Sequence, residues 1–225
     1  MDERYLTKDQ RKQKIKHRVL LWGSAIIVVF AVVVFVASSV KEEQLTGNLS
    51  IGLIAGDHAI GPEDAQVTLI EYSDLQCSAC AAQFPLIKAL LNDYPKDLRL
   101  VYRHFPLREI HESADSASYA LEAAAKQNKF MEMMEILFKR QAEWAGKNNA
   151  DQLFVNYAKE LGLEENKFIS DSASKEVREK VESDYQSAVA QGLNSTPSFY
   201  LNEQRIINPA SYEQFKELID VELKK

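Results

Sequence analysis

The chain has only two cysteines, and they stand three positions apart as Cys77-Ser78-Ala79-Cys80. A two-residue gap lets the sulfurs close a small, reducible ring, which suits reversible thiol–disulfide exchange. Three other readings compete. A stabilising cross-link gains strength with the length of loop it closes, and this loop is very short. A zinc site wants four ligands, and the sequence has neither a second Cys-x-x-Cys nor a His-x-x-x-His to complete a set. Two unrelated buried thiols would be inert, and their placement would then have no purpose. The pair falls between the β-branched run VTLIEY, from Val67 to Tyr72, and a stretch where Phe84, Ile87, Leu90, Leu91 and Tyr94 recur at helical spacing. At such a junction the free helix amides and the dipole stabilise a thiolate on the first cysteine, Cys77.

Glu71 lies six residues before Cys77 in the otherwise apolar strand, where an acid is costly unless it is paired or used. Its use would be to shuttle the proton of Cys80; the alternative is a side chain that turns to solvent at the strand end. Pro85, inside the helical pattern, predicts a kink or an early break. His104 and His111 flank Phe105-Pro106-Leu107 and read as structural hydrogen-bonders, while His17 belongs to a basic flank and His58 to a lead-in loop. On its residues alone, Thr196-Pro197 before a strand reads as readily as an ordinary trans turn.

Around these residues the pattern predicts a strand at 67–72, a helix from Ser78 to Tyr94 stopped by Pro95, and a second strand from Leu98 to His104. From about Ile110 to Gly192 the chain turns Ala-rich and helical. Within it Asp151 is the expected N-cap and Gly162 the stop of one helix, and Gly192 ends the last. Strand character returns at 198–201 and about 205–207 around the turn Asn202-Glu203-Gln204. Asn208-Pro209 then serves as N-cap and first residue of a final helix.

The net charge of −6 conceals a split, since residues 1–18 hold seven Lys/Arg against three acids and residues 41–225 carry −10. So acidic a domain, with no basic stripe, argues against nucleic acid as a partner. Residues 19–40 are an uncharged run of 22, reaching ~33 Å as a helix, enough for a bilayer core. A retained signal-anchor is expected, with a cleaved signal at Ala37-Ser38-Ser39 as the alternative. The basic flank places the N-terminus in the cytoplasm and the remainder outside, where disulfides persist. The expected division is a basic tail 1–18, transmembrane helix 19–40, linker 41–60, globular part 61–108, helical insertion 109–192 and globular part 193–225.

The segments GPEDAQVTLIEYSDLQCSACAAQFP, LRLVYRHFPL and GLNSTPSFYLN together resemble the DsbA-like branch of the thioredoxin superfamily, over about residues 57–222. The resemblance implies an α/β thioredoxin-like fold with an inserted helical domain, here preceded by one transmembrane helix. It implies Cys77 as the exposed nucleophile, Cys80 as the resolving thiol, and Thr196 with a cis Pro197 as the edge that contacts substrate. Exported thiol-containing proteins are the expected substrates, no cofactor or metal is expected, and the resemblance implies a membrane quinone-linked partner as reoxidant. Disulfide donation is the expected activity. A reductase or isomerase, and a peptide-binding chaperone with incidental cysteines, are the alternatives. The intervening dipeptide is Ser-Ala, where strongly oxidising members often carry Pro-His.

Overall fold

The structure, a computed structural model, describes residues 52–54 and 56–225. The expected transmembrane helix 19–40, the basic tail and most of the linker lie outside the described residues. Among the described residues no helix is long and apolar enough to cross a membrane.

Five strands form one mixed sheet: β1 (His58–Ile60), β2 (Val67–Ser73), β3 (Leu98–His104), β4 (Ser198–Leu201) and β5 (Gln204–Ile206), in spatial order β1-β3-β2-β4-β5. Only β2 and β3 run parallel, and the helix α1 (Ser78–Asp93) makes the crossover between them. The other three pairings are antiparallel. Because β2 is covered on both faces, its sequence is largely apolar and β-branched with Glu71 as its one charge, and this is why it was legible as a buried strand. One face, carrying Val67, Leu69, Leu98 and Leu100, packs on Ile87 and Leu90 of α1 and on Phe215 and Ile219 of α8 (Tyr212–Glu222). Each such side chain taken from water contributes roughly 1.5–3 kcal/mol.

Between β3 and β4 the chain builds a helical insertion: α2 (Ala114–Ala125), α3 (Phe130–Lys139), the single turn α4 (Gln141–Trp144), α5 (Ala150–Glu160), α6 (Glu165–Ser172) and α7 (Lys175–Ala190). Small residues on α2 (Ala117, Ala120, Ala123, Ala124) let the neighbouring helices approach closely around Trp144, Phe154 and Phe168. The same cluster includes Cys77, Cys80 and Tyr102, so the insertion caps the redox motif. Helix α7 returns to the opposite face of the sheet, where Ala188 meets Ile70, Tyr72, Val101 and Tyr200.

Several sequence expectations shift. The final residues of the expected linker form β1, an edge strand paired with β3. Just before β1, Asp57 meets the fully buried Arg103 through two hydrogen bonds of 2.9 and 2.8 Å. Gly61 follows at φ +108°, where a Cβ would also run into the Leu98 carbonyl, so only glycine fits. Asp151 is not an N-cap: α5 begins at Ala150 and Asp151 sits in its first turn, where its charge still suits the helix dipole. Asn208-Pro209 does not start the last helix either. Ser211 is the N-cap, its hydroxyl accepting from the Gln214 amide, while the Asn208 side chain is engaged with the Pro197 carbonyl. Pro85 lies within an unbroken α1, which excludes the early break. Gly162 and Gly192 close their helices at φ +72° and +66°.

Candidate active site

Cys77 is the N-cap of α1, and its carbonyl accepts the first helical bond from Ala81 at 3.1 Å. No acid lies in the first turn, so the free amides meet no competing carboxylate there. The amides of Ala79 and Cys80 face the Cys77 sulfur. Both cysteines are free thiols. The Cys77 thiol is lowered from about 9 to about 5, first by the hydrogen bond from Cys80, which outweighs the opposing effect of burial; Thr196 and the two amides add to it. Cys80 is pushed well above the ordinary thiol range, mainly by burial and then by the Cys77 bond and the charges of Glu71 and Cys77. One proton is thus shared unequally, with Cys77 as the thiolate and Cys80 as the thiol. The expectation of an exposed Cys77 needs correcting, since it is 8% exposed against 0% for Cys80.

Thr196 and Pro197 lie against this sulfur. Their peptide bond is cis, and the Cys77 sulfur lies 3.4 Å from the Thr196 carbonyl, to which it donates only while it carries a proton, across 119 residues of sequence. Glu71 is buried at 4% exposure, which removes the alternative of a solvent-facing acid. Burial pushes its carboxyl up to about 7, with the Cys77 charge adding and Ser73 opposing. From β2 its charge helps to raise the Cys80 thiol. The structure thus brings Cys77, Cys80, Glu71, Thr196 and Pro197 into one site.

Other groups hold this site in place, and of these the sequence pointed only to the two histidines. Gln141, the first residue of α4, donates through Nε2 to the carbonyls of Leu75 at 2.8 Å and Cys77 at 3.1 Å, tying the insertion to the loop before the motif. Gln76 accepts from the Ser113 amide at 2.8 Å. Fully buried Asp74 accepts from the amides of Gln76 and Leu107 and from His111 Nδ1, each at 2.7 Å. His104 is buried and donates from Nε2 to Glu122 at 2.7 Å. Both histidines are hydrogen-bonders, as their positions in the sequence suggested. Neutral amides such as Gln141 carry no periodic or charge signal, which is why sequence reading passes over them. Among the described residues no group of three or more His, Cys, Asp or Glu is arranged to hold a metal ion.

The family model described as Thioredoxin matches residues 54–221, three-quarters of the chain. The chain belongs to the thioredoxin family. Within that family the fold, with its helical insertion, is DsbA-like. A thioredoxin-like oxidoreductase from Silicibacter pomeroyi DSS-3 is 25% identical, with a TM-score of 0.63 over 75% of this chain and 93% of that one. Oxidised BdbD from Bacillus subtilis is 24% identical, with a TM-score of 0.69 over 81% and 99% of the two chains, and shares the fold. Among curated relatives, a Na(+)/H(+) antiporter NhaA from Herminiimonas arsenicoxydans is 40% identical over 150 residues. That match takes in 67% of this chain but only 23% of the antiporter, so nothing about ion transport carries over. With its paired thiols at the head of α1, this thioredoxin-family member carries the residues that thiol–disulfide exchange requires.

Proposed function

We propose that this family member donates its disulfide to exported proteins, on the outer side of a membrane to which residues 19–40 anchor it. The observation that carries the reading is the unequal proton affinity of the two thiols, with Cys77 at about 5 and Cys80 well above the ordinary range. A thiolate stable at neutral pH is a good leaving group, and stabilising the reduced pair makes the disulfide a better oxidant.

In the forward direction a substrate thiolate attacks the Cys77 sulfur, the Cys77–Cys80 bond breaks, and Cys80 leaves as a thiolate. Cys80 holds protons tightly and takes one from Glu71, whose carboxyl at about 7 is partly protonated at neutral pH. A second substrate thiolate then attacks the substrate sulfur of the mixed disulfide, and Cys77 leaves as its stabilised thiolate. The substrate has lost two electrons and the enzyme has gained them; a membrane quinone-linked partner removes them to restore the disulfide. Thr196 and Pro197, beside Cys77, form the edge along which an extended substrate segment pairs.

The reductase or isomerase reading draws on one observation: neither Ser78 nor Ala79 adds a cationic side chain to the stabilisation of Cys77. The deciding experiment incubates the oxidised full chain with a reduced two-cysteine peptide and measures disulfide formed per enzyme, alongside the reduction potential against glutathione. Stoichiometric peptide oxidation is expected. A potential as reducing as that of thioredoxin, about −270 mV, with no peptide oxidised, would overturn donation in favour of reduction. Full activity in Cys77→Ser would support the peptide-binding alternative instead.

A further inference from the structure

The helical insertion reaches the redox motif through an uncharged side chain. Gln141 opens α4, and its Nε2 donates to the carbonyls of Leu75 at 2.8 Å and Cys77 at 3.1 Å. Both partners are acceptors, so the NH2 end of the amide must face them, and its two hydrogens serve one carbonyl each. The Cys77 carbonyl also accepts from the Ala81 amide at 3.1 Å, which engages both of its lone pairs. Cys77 is nearly buried in the same cluster as Trp144 and Phe154 of the insertion, so a protein donor takes the place that water holds at an open helix start.

The place of Gln141 is set independently of that contact. A single helical turn has little stability of its own, so its anchors decide where it sits. Trp144, at the other end of α4, is fully buried against Phe154 with ring centroids 5.3 Å apart, and its indole N–H donates to the Leu137 carbonyl at 2.9 Å. Arg140 donates to both Glu160 oxygens at 2.9 and 2.7 Å, and Glu143 accepts from the Tyr157 hydroxyl at 2.9 Å. These charged neighbours are engaged with α5, and the neutral amide is what α4 presents to the motif loop.

The effect of the two bonds follows from the peptide groups they touch. The Cys77 carbonyl carbon shares a Cα with the side chain that bears the reactive sulfur, and its oxygen is the negative end of a dipole. It also belongs to the same peptide group as the amide of Ser78, the first residue of α1. A donor on that oxygen offsets its partial charge and polarises the N–H across the peptide. The Leu75 carbonyl shares a peptide group with the Gln76 amide, which donates to the buried Asp74 carboxylate at 2.7 Å. Gln141 thereby strengthens a bond that offsets a buried negative charge three residues before Cys77. The other groups that act on the Cys77 sulfur are the Cys80 thiol, Thr196, the Ala79 and Cys80 amides and the Glu71 carboxyl, and none of them is a cation. We propose that Gln141 is a positioning residue for the redox pair: by holding these two carbonyls it favours the reduced state with Cys77 as thiolate, and so makes the Cys77–Cys80 disulfide a stronger oxidant. The proposal rests on the thiol–disulfide reading. In the disulfide the Cys77 sulfur is neutral, so the effect belongs to the reduced chain, whereas a plain tether would stabilise both redox states alike and leave the balance between them unmoved.

The test equilibrates the full chain with glutathione at neutral pH. Reduced protein and one oxidised glutathione give oxidised protein and two reduced glutathiones, and the ratio is read by mass after an acid quench. Ultraviolet absorbance of the thiolate, followed against pH, gives the Cys77 midpoint. Gln141→Leu keeps the bulk and loses both donors. The donors act through a peptide group and not on the sulfur, so the expected rise in midpoint is about half a pH unit, below the roughly 1–3 units that a full charge beside a titrating group gives. At tenfold per unit, the glutathione equilibrium is expected to move about threefold toward oxidised protein. Gln141→Arg keeps N–H donors at this position and is expected to titrate at or below the wild-type midpoint. A wild-type midpoint and equilibrium in Gln141→Leu would overturn the proposal and leave a plain tether, whatever that variant loses in urea. So would Gln141→Arg shifted as far as Gln141→Leu, which marks displaced backbone rather than a lost donor. Failure of the thiol–disulfide reading itself looks different, because the wild type would then not exchange with glutathione.

Discussion

Glu71→Gln in the oxidised protein separates a buried carboxyl from a solvated one by stability alone. With the cysteines reduced the carboxyl is raised from 4.5 to about 7, chiefly by burial with the Cys77 charge adding. The disulfide removes that charge but not the burial, so the full interval is an upper bound for the oxidised protein. The unfolded chain loses this proton near 4.5 while the folded chain holds it to about 7, so the folded state binds more protons throughout that window. Stability therefore falls as pH rises through it and is flat above. At about 1.4 kcal/mol per pH unit, the interval amounts to about 3 kcal/mol. Glutamine has nothing to titrate, so the variant escapes the loss. Any fixed cost of burying the amide cancels when two pH values are compared, and the disulfide keeps both cysteines silent. Urea denaturation of wild type and variant at pH 4.5 and pH 8 is the assay. The stability of Glu71→Gln relative to wild type is expected to improve between the two by up to about 3 kcal/mol. A difference that does not change with pH, or that moves the other way, would show that Glu71 titrates as in water and cannot hold a proton for Cys80 at neutral pH.

Alkylation of the reduced protein by iodoacetamide is expected to modify Cys77 first, with a rate that rises tenfold per pH unit and levels off above a midpoint near 5. Equal labelling of Cys80 at neutral pH would contradict the asymmetry. The reduction potential is expected between about −270 and about −120 mV, because Cys77 is stabilised by backbone and thiol donors but by no charged residue within the motif. Gln141→Ala breaks two hydrogen bonds to the motif loop and is expected to lower stability by about 1–3 kcal/mol, read by urea denaturation. Arg103→Ala strands a buried Asp57 carboxylate as well as the Tyr72 and Gly52 contacts, and is expected to cost about 3–5 kcal/mol in the same assay.

What the sequence made legible was whatever rests on local pattern. VTLIEY and LRLVYRH announce strands because both are buried on two faces, and the Cys77-x-x-Cys80 pair stands at the strand-to-helix junction that gives a thiolate its stabilisation. Glu71 was legible for the opposite reason, as a charge in the wrong place, and its burial removes the solvent-facing alternative. The missed features all depend on pairing over long separations. Tyr102 looks like one more aromatic in a strand until the β2–β3 register sets it against Glu71. Glu122 looks like a solvent-facing helix acid among alanines until two histidines from β1 and β3 converge on one of its oxygens. The start of α8 was misplaced because Asn208-Pro209 and Ser211 are both good local starts. Packing decided between them, as the Asn208 side chain is engaged with Pro197 beside the redox motif. Local chemistry thus finds the redox pair, whereas the buried polar groups packed around it emerge only when register and insertion bring distant strands and helices together.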